Sequence, residues 1–214
     1  MSADKAGSHR ATEPGRSSAA RNGMPKKMEE KKEISSKLKR IQEGREAEVS
    51  IGAVRVVAAP EDRPPFPVEA MVFEEDTYLV LSPGWEKIES EDLPLGILVE
   101  ALEADPHDPG NVVVCGDLPL RFLAVVHDLD REPSWREDWV SLALEGVFRE
   151  AERRGLQRIA LPFLGTKHGS LEKARFVVLL REFLEGHPPP HSFEVWLVLQ
   201  KTPGFPFSYG PEGV

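Results

Sequence analysis

The chain has 214 residues, 40% of them hydrophobic and 29% charged, with a formal net charge of −9. That composition fits a globular protein with an ordinary core, and no apolar run approaches the ~20 residues needed to span a bilayer. The single cysteine, Cys115, excludes an intramolecular disulfide and a cysteine-clustered metal site. Set in the apolar run Val112-Val113-Val114, it reads as a buried, inert thiol, and a reducing, cytoplasmic compartment follows.

Charge is divided unevenly along the chain. Residues 1–40 hold eleven Lys/Arg against five Asp/Glu, and the remainder holds 16 against 31. The basic segment therefore precedes an acidic body. An acidic body is poorly suited to tracking a phosphate backbone, so any nucleic-acid or protein contact through charge is expected from residues 1–46. The start, MSADKAGSHRATEPGRSS, has no apolar stretch behind its charges and reads as no secretory signal.

Residues 1–23 are rich in Ser, Ala, Gly and charge and lack any aromatic residue, so they are expected to be disordered. From Met24 to Glu46 the composition turns helical, with Ile34, Leu38 and Ile41 at helical spacing. Three readings stand for that segment: a solvated linker, a helix docked on the domain, or a nucleic-acid arm. Strands are expected at Val49–Ala58, Val68–Phe73 and Thr77–Ser82, then a helix opened by Pro94 and running to Leu102. Asn111–Cys115 and Arg121–His127 are two further strands. Ser134-Trp135-Arg136-Glu137 reads as a capping box for a helix that puts Trp139, Leu142, Ala143, Gly146, Val147 and Ala151 on one face and ends at Gly155. A strand at Gln157–Leu161, a helix at Leu171–Leu184 ending by Gly186, and a strand at Ser192–Leu199 complete the body. The divisions expected are a basic tail (1–46), one domain (47–202) and a C-terminal tail (203–214). Strands separated by helices argue for a sheet covered on both faces, with ligands outside the carboxyl ends of the strands.

The segment Ile159-Ala160-Leu161-Pro162-Phe163-Leu164-Gly165-Thr166-Lys167-His168-Gly169-Ser170 carries the most chemistry. An apolar strand passes into a loop with two glycines and reaches Ser170, a candidate helix N-cap. Glycines let backbone N–H groups approach a ligand, a helix N-terminus favours an anion, and Lys167 adds a cation. Such a loop can cradle a diphosphate, and it can equally be an ordinary strand-to-helix turn. His168, inside the loop, is a stronger functional candidate than His127, which reads as a satisfied structural histidine. His187 and His191 flank Pro188-Pro189-Pro190 without a carboxylate cluster, so no metal is expected. Glu89, Glu91 and Asp92 read as a solvated run. Trp135, Trp139 and Trp196 read as core or helix-face residues. No serine elbow, P-loop or dinucleotide fingerprint is present, and no cofactor is called for.

The order of these segments resembles the macrodomain family, a three-layer α/β/α fold that binds ADP-ribose and related nucleotides. Gly110 to Val114 followed by Leu118 to His127 resembles the family's strand, turn and strand ending in His. Ala160-Leu161-Pro162-Phe163-Leu164-Gly165-Thr166 resembles its proline-bearing strand and glycine loop. Asp62 through Val68-Glu69-Ala70-Met71-Val72 resembles the family's opening signature, with Asp62 seven residues before Glu69. The resemblance implies that Asp62 accepts from an adenine amino group, that Gly165, Thr166 and Gly169 lie on the phosphate loop, where Lys167 replaces the second glycine, and that Asp76 meets the distal ribose. Phe163, Lys167, His168 and Ser170 complete the expected ligand-binding residues. The chain departs from the family where Asn-Ala-Ala-Asn is replaced by Phe73-Glu74-Glu75-Asp76, and where a glycine-rich loop is replaced by Ser82-Pro83-Gly84-Trp85-Glu86-Lys87. Glu69, Glu74, Glu75 and Asp76 would repel a diphosphate if they faced the pocket. The resemblance implies a module for ADP-ribose, a related nucleotide diphosphate, or an ADP-ribosylated protein. A degenerate fold kept as an interaction scaffold, and an ADP-ribosyl hydrolase working through Asp76, are the other two readings.

Overall fold

The computed structural model describes residues 26–81 and 105–199. In chain order these form α1 (Lys26–Gln42), β1 (Ala47–Ile51), β2 (Val54–Pro60), β3 (Ala70–Asp76), β4 (Val112–Cys115), β5 (Leu120–His127), α2 (Glu137–Arg153), β6 (Arg158–Leu161), α3 (Lys173–Gly186) and β7 (Phe193–Leu199). The seven strands make one sheet in the order β1-β2-β7-β6-β3-β5-β4. The five inner strands are mutually parallel, and β1 and β4 pair antiparallel at the two edges. All five inner strands therefore deliver their carboxyl ends to the same rim of the sheet.

Alternation along the strands splits the side chains between two faces. Val54, Val56 and Ala58 of β2, Ala70 and Val72 of β3, Ile159 and Leu161 of β6, and Val195, Leu197 and Leu199 of β7 join the main core. The three described helices pack on that face. α2 contributes Val140, Ala143, Leu144 and Val147, and α3 contributes Phe176, Val177, Leu180 and Leu184. The opposite face carries a smaller cluster of Ala59, Ala160 and Trp196, with Phe66, Val68, Met71 and Val198 packed around it.

Of the three readings open for the basic helical segment, the structure has the docked helix. α1 packs against β1 and α3, with Ile41 1% and Leu38 7% exposed and Ile34 packed beside them. Gln42 Nε2 also donates to the Ala174 carbonyl across 3.4 Å. Three apolar residues suffice because they complete a surface already built by β1 and α3.

Several local expectations need correction. Val49–Ala58 is two antiparallel strands, not one: Gly52, with φ +58°, turns the chain between β1 and β2. Thr77 to Leu81 is a turn instead of a strand, because the N–H groups of Tyr78, Val80 and Leu81 are taken by side-chain carboxylates and that of Leu79 by the Asp76 carbonyl. The capping box at Ser134 does not form. Arg136 precedes α2 without a side-chain cap, and Trp135 pairs instead with His127 in an isolated bridge. Ser170 does not cap α3, which starts after Glu172. Cys115 lies half-buried on the edge strand, not in the core. Gly155 does follow the last turn of α2 with φ +69°, as a helix-ending glycine should. The Pro94–Leu102 helix and both tails, 1–23 and 203–214, lie outside the described residues.

Candidate functional site

Where β2, β3, β6 and β7 end, a cleft of about 300 Å³ opens on the face away from the three helices. Its floor is apolar and aromatic: Met71, Phe73, Ala160, Trp196 and Val198. Trp196 is fixed there by its indole N–H, which donates to the Ala59 carbonyl at 3.0 Å. Glu61, Glu74, Lys167 and His168 supply the polar groups of the lining.

The 162–171 loop forms one wall and is held by its own hydrogen bonds. Thr166 donates twice to the Phe163 carbonyl, from Oγ1 at 2.7 Å and from its N–H at 3.2 Å. The Leu171 N–H donates to the Gly165 carbonyl at 3.1 Å. The Trp135 indole N–H donates to Ser170 Oγ at 3.1 Å. Gly165 adopts φ +75°, a left-handed conformation, with Val140 and Leu171 close by. A Cβ at Gly169 would collide with the Gly165 carbonyl oxygen and lie 2.9 Å from the Trp135 ring. Gly169→Ala should therefore lower stability by about 1–3 kcal/mol, as overpacking generally does. An unchanged urea midpoint would show that the loop yields more easily than this network implies.

The two loop amides aimed inward already hold an anion. Glu74 Oε2 accepts from the Gly165 N–H at 2.9 Å, and Glu74 Oε1 accepts from the His168 N–H at 3.2 Å. His127 Nε2 lies 2.6 Å from the same Oε1. Glu74 is 8% exposed and His127 1%. Glu74 follows Ala70 and Val72 in the alternation that faces the helices, which carries its side chain under the loop and away from open solvent.

The other acidic residues behave as internal caps. Asp76 is 0% exposed, and its Oδ1 accepts from the N–H groups of Tyr78 (2.9 Å) and Val80 (3.1 Å). It is absent from the cleft lining, so it presents no oxygen there. Glu75, 1% exposed, accepts from the Leu81 N–H at 2.9 Å. Glu69 sits at the opposite end of β3 and accepts from the N–H groups of Gln157 and Arg158. Of the four, Glu74 is the one seen to bond the glycine loop.

The remaining sequence candidates separate in the same way. Lys167 and His168 line the cleft. Gly165, Thr166, Gly169 and Ser170 shape the loop. Phe163 turns into the core, 4% exposed and packed on Phe176 with ring centroids 5.6 Å apart. Asp62 is exposed in the turn after β2, next to Glu61 of the lining. Sequence reasoning missed the floor formed by Met71, Phe73 and Trp196. The available signal was the alternation that places them on the face opposite Ala70, Val72 and Val195.

Burial holds the His168 imidazole below its ordinary value of 6.5, opposed by the Glu74 carboxylate and reinforced by Lys167 and His127. A lowered folded-state value means the unfolded chain takes the proton more readily. Stability is therefore highest above 6.5 and declines as pH falls through that value toward the folded one. His168→Asn should flatten part of the stability loss between pH 7 and pH 5 in thermal melts. An unaltered pH slope would contradict this placement.

The sequence matches no protein-family model and no curated protein. Solved structures do match. The Oceanobacillus iheyensis macrodomain with ADP superposes with a TM-score of 0.52 at 15% identity, covering 72% of this chain and 87% of that one. The macrodomain of Mycobacterium tuberculosis DarG gives 0.51 at 15% identity, covering 67% and 97%. The macrodomain of Thermus aquaticus DarG gives 0.50 at 24% identity, covering 68% and 98%.

Proposed function

We propose that this chain, whose seven-stranded α/β fold is that of a divergent macrodomain, binds ADP-ribose or a related nucleotide diphosphate in the cleft at the strand ends. The observation that carries the reading is the cleft itself. An aromatic floor of Phe73, with the Arg121 guanidinium over its ring, and Trp196 suits a base, and a glycine loop with Lys167 and His168 at its edge suits phosphates. Asp62, exposed beside Glu61, would accept from the base amino group. The solved macrodomain with ADP lends support through the fold alone. Calorimetric titration of the full chain with ADP-ribose, with AMP as comparison, tests it. Saturable heat in the micromolar range, about −8 kcal/mol, with AMP weaker, is the expected result. No heat with ADP-ribose at millimolar concentration would overturn the reading.

One observation favours a second reading. The amides that would grip a diphosphate are satisfied by Glu74, so the fold can stand as a scaffold without any ligand. That reading predicts no thermal shift with any nucleotide. The hydrolase reading has less support, since Asp76 is sealed from the cleft and bonded to its own turn.

A further inference from the structure

Glu74 stands where the strand pattern calls for an apolar residue. It continues the series Ala70 and Val72, yet it carries a carboxylate into a site where it is 8% exposed. A buried carboxylate is costly unless hydrogen-bonded, and this one meets its needs from the backbone of a glycine loop. One oxygen takes the Gly165 amide, and the other takes the His168 amide and faces His127 Nε2. Two backbone N–H groups with an imidazole beside them, opened by a left-handed glycine, form a cradle for any oxyanion.

The cradle's geometry is set independently of the carboxylate. Thr166 on the Phe163 carbonyl, Leu171 on the Gly165 carbonyl and Trp135 on Ser170 hold the loop from its other side. Glu74 also lines the cleft together with Lys167 and His168. Glu74 therefore borders the cleft and also bonds the loop amides, its carboxylate carried on a flexible two-carbon stem.

We infer that Glu74 is a built-in competitor for the phosphate loop: its carboxylate holds the Gly165 and His168 amides in the ligand-free protein, and an oxyanion ligand binds there only by displacing it. This deepens the proposed nucleotide reading and rests on it for the identity of the ligand, though not for the existence of the cradle. It explains how an acidic substitution and a glycine loop coexist in one site. A ligand must bring two things to open it: a phosphate to replace the carboxylate, and enough contact with the cleft floor to offset the displaced charge. Free phosphate alone, or a nucleoside alone, supplies only one of them.

Removing the competitor should change selectivity for phosphate. In the full chain, Glu74→Gln keeps the shape and drops the charge, so the ratio of ADP affinity to adenosine affinity should rise by roughly tenfold or more over the wild type. Glu74→Ala empties the cradle, so inorganic pyrophosphate should raise its melting temperature while leaving the wild type unmoved. An unchanged ADP-to-adenosine ratio with both ligands bound would overturn the competitor role and leave the nucleotide reading standing. If no variant binds a nucleotide but pyrophosphate still stabilises Glu74→Ala, the cradle and its competitor stand and the nucleotide reading fails. If pyrophosphate stabilises neither variant above the wild type and the ratio does not rise, the inference is wrong. Should Glu74→Ala fail to fold, the Gln variant carries both arms.

Discussion

Glu74→Ala is expected to lower the free energy of unfolding by about 3 kcal/mol, because it strips partners from two buried groups and a partly buried one at once. The Gly165 and His168 amides and His127 Nε2 all meet this one carboxylate. His127 Nδ1 has no hydrogen-bond partner among the described residues, so the mutation would leave that ring without any. Water entering the vacated space would recover part of the loss, which keeps the figure below the sum for three orphaned groups. Glu74→Gln should cost less, since one carbonyl oxygen still accepts from one amide. Urea denaturation of both variants measures the difference. Equal, small losses for Ala and Gln would mean that the carboxylate is a bystander in the loop's stability.

The second large effect is expected at the other side of the molecule. Ile41→Asp should destabilise the protein by about 3 kcal/mol or more and release α1 from the body. Ile41 is 1% exposed within the core that also holds Val49, Leu180 and Leu184. An aspartate there cannot be buried without a partner, so the helix must detach and expose that surface. Limited proteolysis within residues 26–46 should accelerate in step with the loss of stability. Cleavage at the wild-type rate would show that α1 contributes little. The same packing dictates how binding experiments are done: a fragment starting at residue 46 would lack part of the core.

How much of this was legible in the sequence depended on whether the deciding partner lay nearby in the chain. β5, β6, β7, α2 and α3 were visible because period-2 or period-3.6 patterns declare them locally. The macrodomain fold was legible from the order of these segments, with Gly110–His127 and Ala160–Thr166 the most informative. Where a single side chain redirects the backbone, the pattern failed. Gly52 split one apolar run into two strands, and Asp76 and Glu75 drew the Tyr78, Val80 and Leu81 amides out of any ladder. The Ser134–Glu137 cap lost to the His127–Trp135 bridge, a contact between segments that propensity cannot foresee. α1 showed its three apolar residues but not the groove that receives them.

The site was half legible for the same reason. The glycine loop and its residues Gly165 to Ser170 could be read directly, as could the peculiarity of Phe73-Glu74-Glu75-Asp76. Charge alone suggested that these acids repel a phosphate. The role of Glu74 follows from contacts 53 to 94 residues away in sequence, with His127, Gly165 and His168, while Glu75 and Asp76 act on the turn that follows them. Asp76, the residue the resemblance placed on a ribose, instead ties down its own turn. Trp196, which reads as a core or helix-face residue, is buried and also lines the cleft floor.

The most direct test of the central claim is the ¹H–¹⁵N spectrum of the full chain titrated with ADP-ribose. The account predicts saturable shifts of the Gly165 and His168 amides, as phosphate oxygens replace the Glu74 carboxylate, together with shifts of the Trp196 indole N–H at the cleft floor. Saturable shifts confined to other surfaces, or none at millimolar ADP-ribose, would contradict it.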